Sequence, residues 1–95
     1  MDRVREMIRT TPLAGYAACA HALSGYDLRA EMARVRAPVL LVAGDHDGPL
    51  PHVLPALAAE LPDARYAEIA DAGHIPPIEQ PGRFGAALGT FLDAL

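Results

Sequence analysis

Val39 to Ala43 is an uninterrupted apolar run, bracketed by Pro38 and Gly44. No polar residue interleaves it, so it does not read as a half-exposed strand with alternating faces. Short apolar runs between Pro and Gly are typical of strands buried on both faces of a parallel sheet. A helical stretch follows, His52 to Leu61, with Val53, Leu54, Leu57, Ala58 and Leu61 apolar. Pro55 is tolerated if it falls in the first turn. Pro62-Asp63 makes the connection, and Arg65 to Ala70 is a second strand candidate. Asp71 to Gln80 reads as loop. Pro81 to Leu95 reads as a helix with Phe84, Leu88, Phe91, Leu92 and Leu95 on one face. The order strand, helix, strand, helix predicts an α/β unit. A right-handed crossover makes its two strands parallel, with both C-terminal ends on one edge. Catalytic and binding groups in open α/β sheets gather outside that edge. Asp47, in the Pro-rich loop 45–51, and His74, in the loop 71–80, both lie there.

The first third of the chain is helical in pattern. Residues 2 to 10 form a short helix with Val4, Met7 and Ile8 on one side. Thr11 and Pro12 make a helix start, with Thr as N-cap and Pro in the first helical position. Leu13, Tyr16, Ala17, Ala20 and Leu23 then recur at helical spacing up to Ser24-Gly25. Leu28 to Val35 is a further short helix, with Leu28, Met32 and Val35 facing inward, and Arg36-Ala37-Pro38 breaks it.

Composition narrows the function classes. Hydrophobic residues make up 52% of 95 residues, which suits a buried core and not a disordered tail. The net charge is −4 and no Lys/Arg cluster forms a phosphate-tracking patch, so nucleic acid is not expected as a partner. The longest apolar run is far too short to cross a bilayer, and the charges spread through MDRVREMIRTT do not suit a signal peptide. Cys19 is alone, which excludes an intramolecular disulfide and suits a reducing compartment, so cytoplasm is the expected location.

Three stretches resemble a known family. PVLLVAGDHD resembles the strand and turn that present a triad acid as Gly-x-x-Asp, and DAGHIPPIEQP resembles the turn that presents a triad His, with Gly-His followed by Glu-x-Pro. TPLAGYAACAHALSGYDLRAEM looks like the end of a helical lid and the return to the core. Together they resemble the C-terminal part of an α/β-hydrolase. Within that superfamily the chain looks most like 3-oxoadipate enol-lactonases, the lactone hydrolases of the β-ketoadipate pathway. The resemblance implies a lid-derived segment over residues 1–36 and the βαβα end of the core over residues 37–95. It implies carboxylic ester or lactone hydrolysis without a cofactor, with Asp47 as triad acid and His74 as triad base. Acid before base matches the Ser…Asp…His order of this fold. Asp47 would fix the tautomer of His74, and His74 would take a serine proton and then activate water.

The resemblance leaves a gap. These hydrolases carry Gly-x-Ser-x-Gly on a sharp strand-to-helix turn. The sequence has one serine, Ser24, in ALSGY, which does not resemble that elbow. Cys19, mid-helix among alanines, reads as a small buried residue. The expected chain is therefore a truncated or split hydrolase, inactive alone, with an esterase or haloalkane-cleaving relative and an inert interaction module as alternatives.

Plainer readings stand beside each assignment. Asp before Gly is common turn chemistry, and Asp45 and Asp71 compete with Asp47 for the acid role. His74 also reads as a loop histidine with no task. Asp45, His46, Asp47 and His52 cluster in sequence but fit no zinc spacing, so no metal is expected. His21 reads as a surface or lid-lining residue. Tyr16 and Leu23 read as packing or pocket-lining residues. Glu79 reads as a cap of the last helix or a brace for the His74 loop. A domain of this size buries only about 60–65% of its unfolded surface. A two-stranded parallel sheet also leaves an apolar edge unpaired. The chain is thus expected to need an N-terminal half in trans, or to self-associate through that edge.

Overall fold

The computed structural model describes residues 1–95. Its elements in chain order are α1 (Asp2–Thr10), α2 (Leu13–Ser24), α3 (Arg29–Met32), β1 (Val39–Gly44), α4 (Leu50–Glu60), β2 (Ala64–Ile69), α5 (Pro76–Glu79) and α6 (Pro81–Asp93). The chain divides into two compact units, Met1–Ala30 and Glu31–Leu95.

In the first unit, α1 and α2 form at nearly the expected places. The boundary between them differs from the sequence reading. Thr11 does not cap α2. Its hydroxyl donates to the Met7 carbonyl at 2.7 Å and closes α1 instead. Pro12 takes the N-cap position of α2, whose first turn gains no side-chain cap. The physical reason is competition: a Thr just past the last residue of a helix can return its hydroxyl to the carbonyl four residues back. α2 is apolar or small almost all round, yet Leu13 is 81% exposed and Leu23 65%. Cys19 is exposed too, so the buried role expected for it is wrong. Burial of a helical residue depends on what packs against the helix, not on the apolar pattern alone. Tyr16 lines an open hollow of about 320 Å³ with Ile8, Thr11 and Leu13. Leu23 takes no part in it. The expected helix over 28–35 shrinks to the single turn α3, with Leu28 and Val35 both exposed.

The second unit is the βαβα arrangement. β1 and β2 pair in parallel, in register from Val39–Ala64 to Gly44–Ile69. They form a two-stranded sheet, so the far edge of β1 has no partner strand. α4 packs across both strands and α6 against β2. α4 begins at Leu50, two residues before the expected start, with Pro51 in its first turn where the missing N–H costs nothing. The early start places Pro55 inside the helix and not in its first turn. There it has no N–H to give to the Pro51 carbonyl. The loop expected over 71–80 contains the short helix α5, begun by two prolines. On α6, Phe84, Leu88 and Phe91 are half-buried while Leu92 stays exposed, as does Leu95 beyond the helix end.

Burial concentrates at one end of the sheet. The buried apolar residues are Ala43, Ile69 and Ala72, at the C-terminal ends of the strands and in the turn after β2. Burying Ile69 there contributes about 2–3 kcal/mol. The rest of β1 is only half-buried, not enclosed on both faces as the sequence pattern predicts. An apolar run specifies a strand that can be buried; neighbouring elements decide whether it is. The one well-packed region is the place where Asp47 and His74 emerge.

Candidate active site

β1 ends at Gly44, and the chain turns at once. Asp47 N–H donates back to the Gly44 carbonyl at 3.1 Å, and Leu50 N–H donates to the Asp47 carbonyl at 3.2 Å as α4 begins. These bonds hold Asp47 just beyond the strand. β2 ends at Ile69, and the chain then crosses in front of Gly44. Gly44 is buried, and a Cβ there would overlap the carbonyl oxygens of Ala72 and Gly73. Only glycine lets the β2 turn approach this closely. That approach carries His74 to Asp47: the imidazole Nδ1 lies 2.9 Å from Asp47 Oδ2 across a sequence separation of 27.

The pair is asymmetric in solvent exposure. The Asp47 side chain is 20% exposed and that of His74 is 79%. A carboxylate accepts hydrogen bonds only, so Nδ1 carries the proton and Nε2 is the nitrogen left for other chemistry. The acid and base of a Ser-His-Asp site make a contact of this kind. The hydrogen bond to Asp47 raises the His74 pKa above the ordinary 6.5, and the charges of Asp47 and Glu79 act in the same direction. The pair therefore stabilises the folded chain below pH about 6.5 and ceases to do so as pH rises through the raised value. The contribution is small, because the histidine is open to water. Asp47→Asn is expected to lower the His74 pKa toward 6.5, read from the imidazole Hε1 shift against pH. An unmoved titration would remove Asp47 as the partner.

The competing acids have other tasks. Asp45 Oδ1 accepts the Ala72 N–H at 3.2 Å, and His46 N–H donates to the Ala72 carbonyl at 2.9 Å. The two turns are thus bonded to each other in both directions. Desolvation pushes the Asp45 carboxyl up, but the backbone N–H groups of Asp71 and Ala72 outweigh it and hold the pKa below the ordinary carboxylate value. Asp71 is in the left-handed region at φ 57°, and Arg83 Nη1 bonds its Oδ2 at 3.1 Å. Neither acid is bonded to His74.

Of the sequence cluster Asp45, His46, Asp47 and His52, the structure gathers only Asp45 and His46, and it adds Asp71. Arg83 already pairs with Asp71, and Ala72 N–H already occupies Asp45, so the acids of this group serve the turn. Ser24 is at the end of α2 with its hydroxyl donated to the His21 carbonyl at 2.7 Å. Sequence reasoning missed the need for Gly44 and the work of Asp45. The signal available for both was the Gly-Asp pair at a strand end, two residues before the presumed acid.

Comparison with known proteins shows the fold family. A family model described as alpha/beta hydrolase fold matches residues 1–81. The chain belongs to the α/β-hydrolase fold family. It is 37% identical over 75 residues to RutD of Pseudomonas savastanoi pv. phaseolicola, named as a carbamate hydrolase; the match covers 78% of this chain and 29% of that protein. It is 34% identical over 74 residues to 3-oxoadipate enol-lactonase 2 of Acinetobacter baylyi, covering 78% of this chain and 28% of the other. The chain thus spans less than a third of the length of these two relatives. Among solved structures, proline iminopeptidase of Mycobacterium smegmatis superposes with a TM-score of 0.65 at 29% identity, over 73% of this chain and 23% of that one. MenH of S. aureus superposes with a TM-score of 0.68 at 22% identity, over 73% and 26%, and shows the fold alone. The two-stranded parallel sheet with its helices is a portion of this α/β-hydrolase fold. No helix is long and apolar enough to cross a membrane.

Proposed function

We propose that this α/β-hydrolase chain supplies the acid and base of a Ser-His-Asp site for carboxylic ester or lactone hydrolysis, with Asp47 as acid and His74 as base. The observation that carries the proposal is the 2.9 Å contact between His74 Nδ1 and Asp47 Oδ2 outside the C-terminal edge of a parallel sheet. The one serine among these 95 residues is bonded into α2, so in this reading the nucleophile lies outside them, on a Gly-x-Ser-x-Gly elbow. His74 Nε2 would take the serine proton, return it to the leaving alkoxide, and then activate water against the acyl-enzyme. Likeness to an enol-lactonase supports a lactone or enol ester as substrate, and likeness to RutD supports a carbamate as the alternative. Residues 1–36 would serve as the lid-derived segment. The lone Cys19 favours a reducing compartment, the cytoplasm.

The test is complementation. The chain is co-expressed with an N-terminal α/β-hydrolase segment bearing Gly-x-Ser-x-Gly, and hydrolysis of chromogenic esters, enol-lactones and carbamates is followed. Activity requiring both segments is expected. Complemented activity that survives His74→Ala would show that the base lies elsewhere.

The second reading, a non-catalytic interaction module, is favoured by the unpaired outer edge of β1, which runs along an apolar segment. Such edges pair with other strands. Alone, the chain is expected to self-associate through this edge, and size-exclusion chromatography with light scattering reads the outcome. A soluble monomer with a cooperative melt would refute the need for a partner.

A further inference from the structure

Glu79 is half-buried at the end of α5, five residues after His74, and its carboxylate does not face solvent alone. One oxygen, Oε2, accepts the N–H of Gly73 at 3.0 Å and the N–H of Ile75 at 3.0 Å. These are the N–H groups of the residues immediately before and after the histidine. The Glu79 N–H donates to the Ile75 carbonyl at 3.0 Å, which closes the loop on itself. A Cβ at residue 73 would stand 3.2 Å from Glu79 Oε1, so the glycine leaves room for the carboxylate.

We propose that Glu79 is a positioning residue for His74: its carboxylate grips the backbone on both sides of the histidine and holds the imidazole over Asp47. The inference rests on the acid–base reading above and deepens it. Hydrogen bonds from backbone N–H groups to an ionised carboxylate are about twice as strong as neutral ones. Two of them on one oxygen fix the loop on either side of His74, which leaves its side chain free to turn only about its own bonds. The first turn after β2 is held separately, by Ala72 N–H on Asp45 Oδ1. The loop is therefore anchored to the end of β1 by one acid and braced under His74 by another. The charged groups acting on the ring are Asp47, from the β1 end, and Glu79, from α5, and both favour the imidazolium.

The experiment is a pH titration of His74 by NMR on the 95-residue chain, with the imidazole ¹⁵N shifts and the Nδ1–H resonance recorded. Glu79→Ala, Glu79→Gln and Asp47→Asn are compared with the parent. For Glu79→Ala, the expected result is a His74 pKa lowered toward 6.5, loss of the Nδ1–H signal, and faster amide exchange at Gly73 and Ile75, with Asp47 intact. Glu79→Gln keeps an acceptor oxygen in place and should retain the Nδ1–H signal while lowering the pKa by the loss of charge alone. If Glu79→Ala does not fold, Glu79→Gln decides. A folded Glu79→Gln chain whose Gly73 and Ile75 amides exchange faster while the His74 Nδ1–H signal and titration match the parent overturns the proposal. So does a Glu79→Ala chain in which Gly73 and Ile75 lose protection while His74 titrates as before, since that is a purely structural role. If the Asp47→Asn control leaves His74 unmoved, the acid–base pairing is itself wrong and the brace has no purpose. If that control moves and the Glu79 variants do not, only the brace is wrong.

Discussion

Gly44→Ala is expected to unfold the end of the sheet where the site is built. The added methyl would overlap the carbonyl oxygens of Ala72 and Gly73, which are backbone atoms and cannot rotate away. Nor can the turn retreat cheaply. It is bonded to the end of β1 by His46 N–H to the Ala72 carbonyl at 2.9 Å and by Ala72 N–H to Asp45 at 3.2 Å. Moving the turn by the distance a methyl needs would break both bonds and expose Ala43, Ile69 and Ala72, the buried apolar residues of the chain. Overpacking of this kind costs about 3 kcal/mol. Against a core this small, that is a large share of the total stability, whose low end is about 5 kcal/mol for a chain of this length. The expected result is a sharply lowered urea midpoint, or no cooperative transition at all, with loss of the His74 Nδ1–H signal. Gly85→Ala is the control, because a Cβ there meets nothing within 4 Å. If Gly44→Ala melts like the parent, the close approach described here does not exist in solution.

The second large effect is on turnover by the complemented site. His74→Ala removes the group proposed to take the nucleophile's proton, and kcat of the complemented site is expected to fall by about 10⁶-fold. Asp47→Asn leaves the shape of the pair but lets an amide N–H face the ring, so the wrong tautomer forms, and kcat is expected to fall by about 10⁴-fold. KM should change little in either case, since neither side chain is assigned to substrate binding. The pH profile adds a sign. His74 works as a base only when neutral, and its pKa is raised by the Asp47 hydrogen bond. The parent rate should therefore rise with pH through a value above 6.5, and the residual Asp47→Asn activity should rise through a lower one. Stopped assays of kcat and kcat/KM between pH 5 and 9 would check both. A residual profile displaced to higher pH would contradict the proposed role of Asp47. Double substitution should cost no more than His74→Ala alone, because the two residues act as a unit.

The strands and the candidate pair were legible because their signals are local. Val39–Ala43 has no polar residue and is stopped by Pro and Gly. A βαβ crossover then dictates that Asp47 and His74 leave from the same sheet edge. The helix boundaries were less legible, because neighbouring elements compete for the same groups. The Thr11 hydroxyl reads equally as the cap of α2 and as a closing bond for α1, and the structure uses it in α1. Burial was the least legible. Cys19 and Leu23 sit in an apolar helix and are exposed, because periodicity reports which residues tolerate burial and not what lies against them.

Chain order and residue type alone settled that a carboxylate and an imidazole would emerge side by side from two parallel strands, since strand direction and crossover hand follow from backbone chirality. The tertiary structure decided which acid faces the ring, and it chose Asp47 over Asp45 and Asp71. That choice depends on which donor each acid meets: Asp45 takes the Ala72 N–H, Asp71 the Arg83 guanidinium, and Asp47 is left with an oxygen for His74. It also depends on Gly44, whose missing side chain lets two segments far apart in sequence come into backbone contact. Such contacts are set by three-dimensional crowding, which no local pattern of residues encodes.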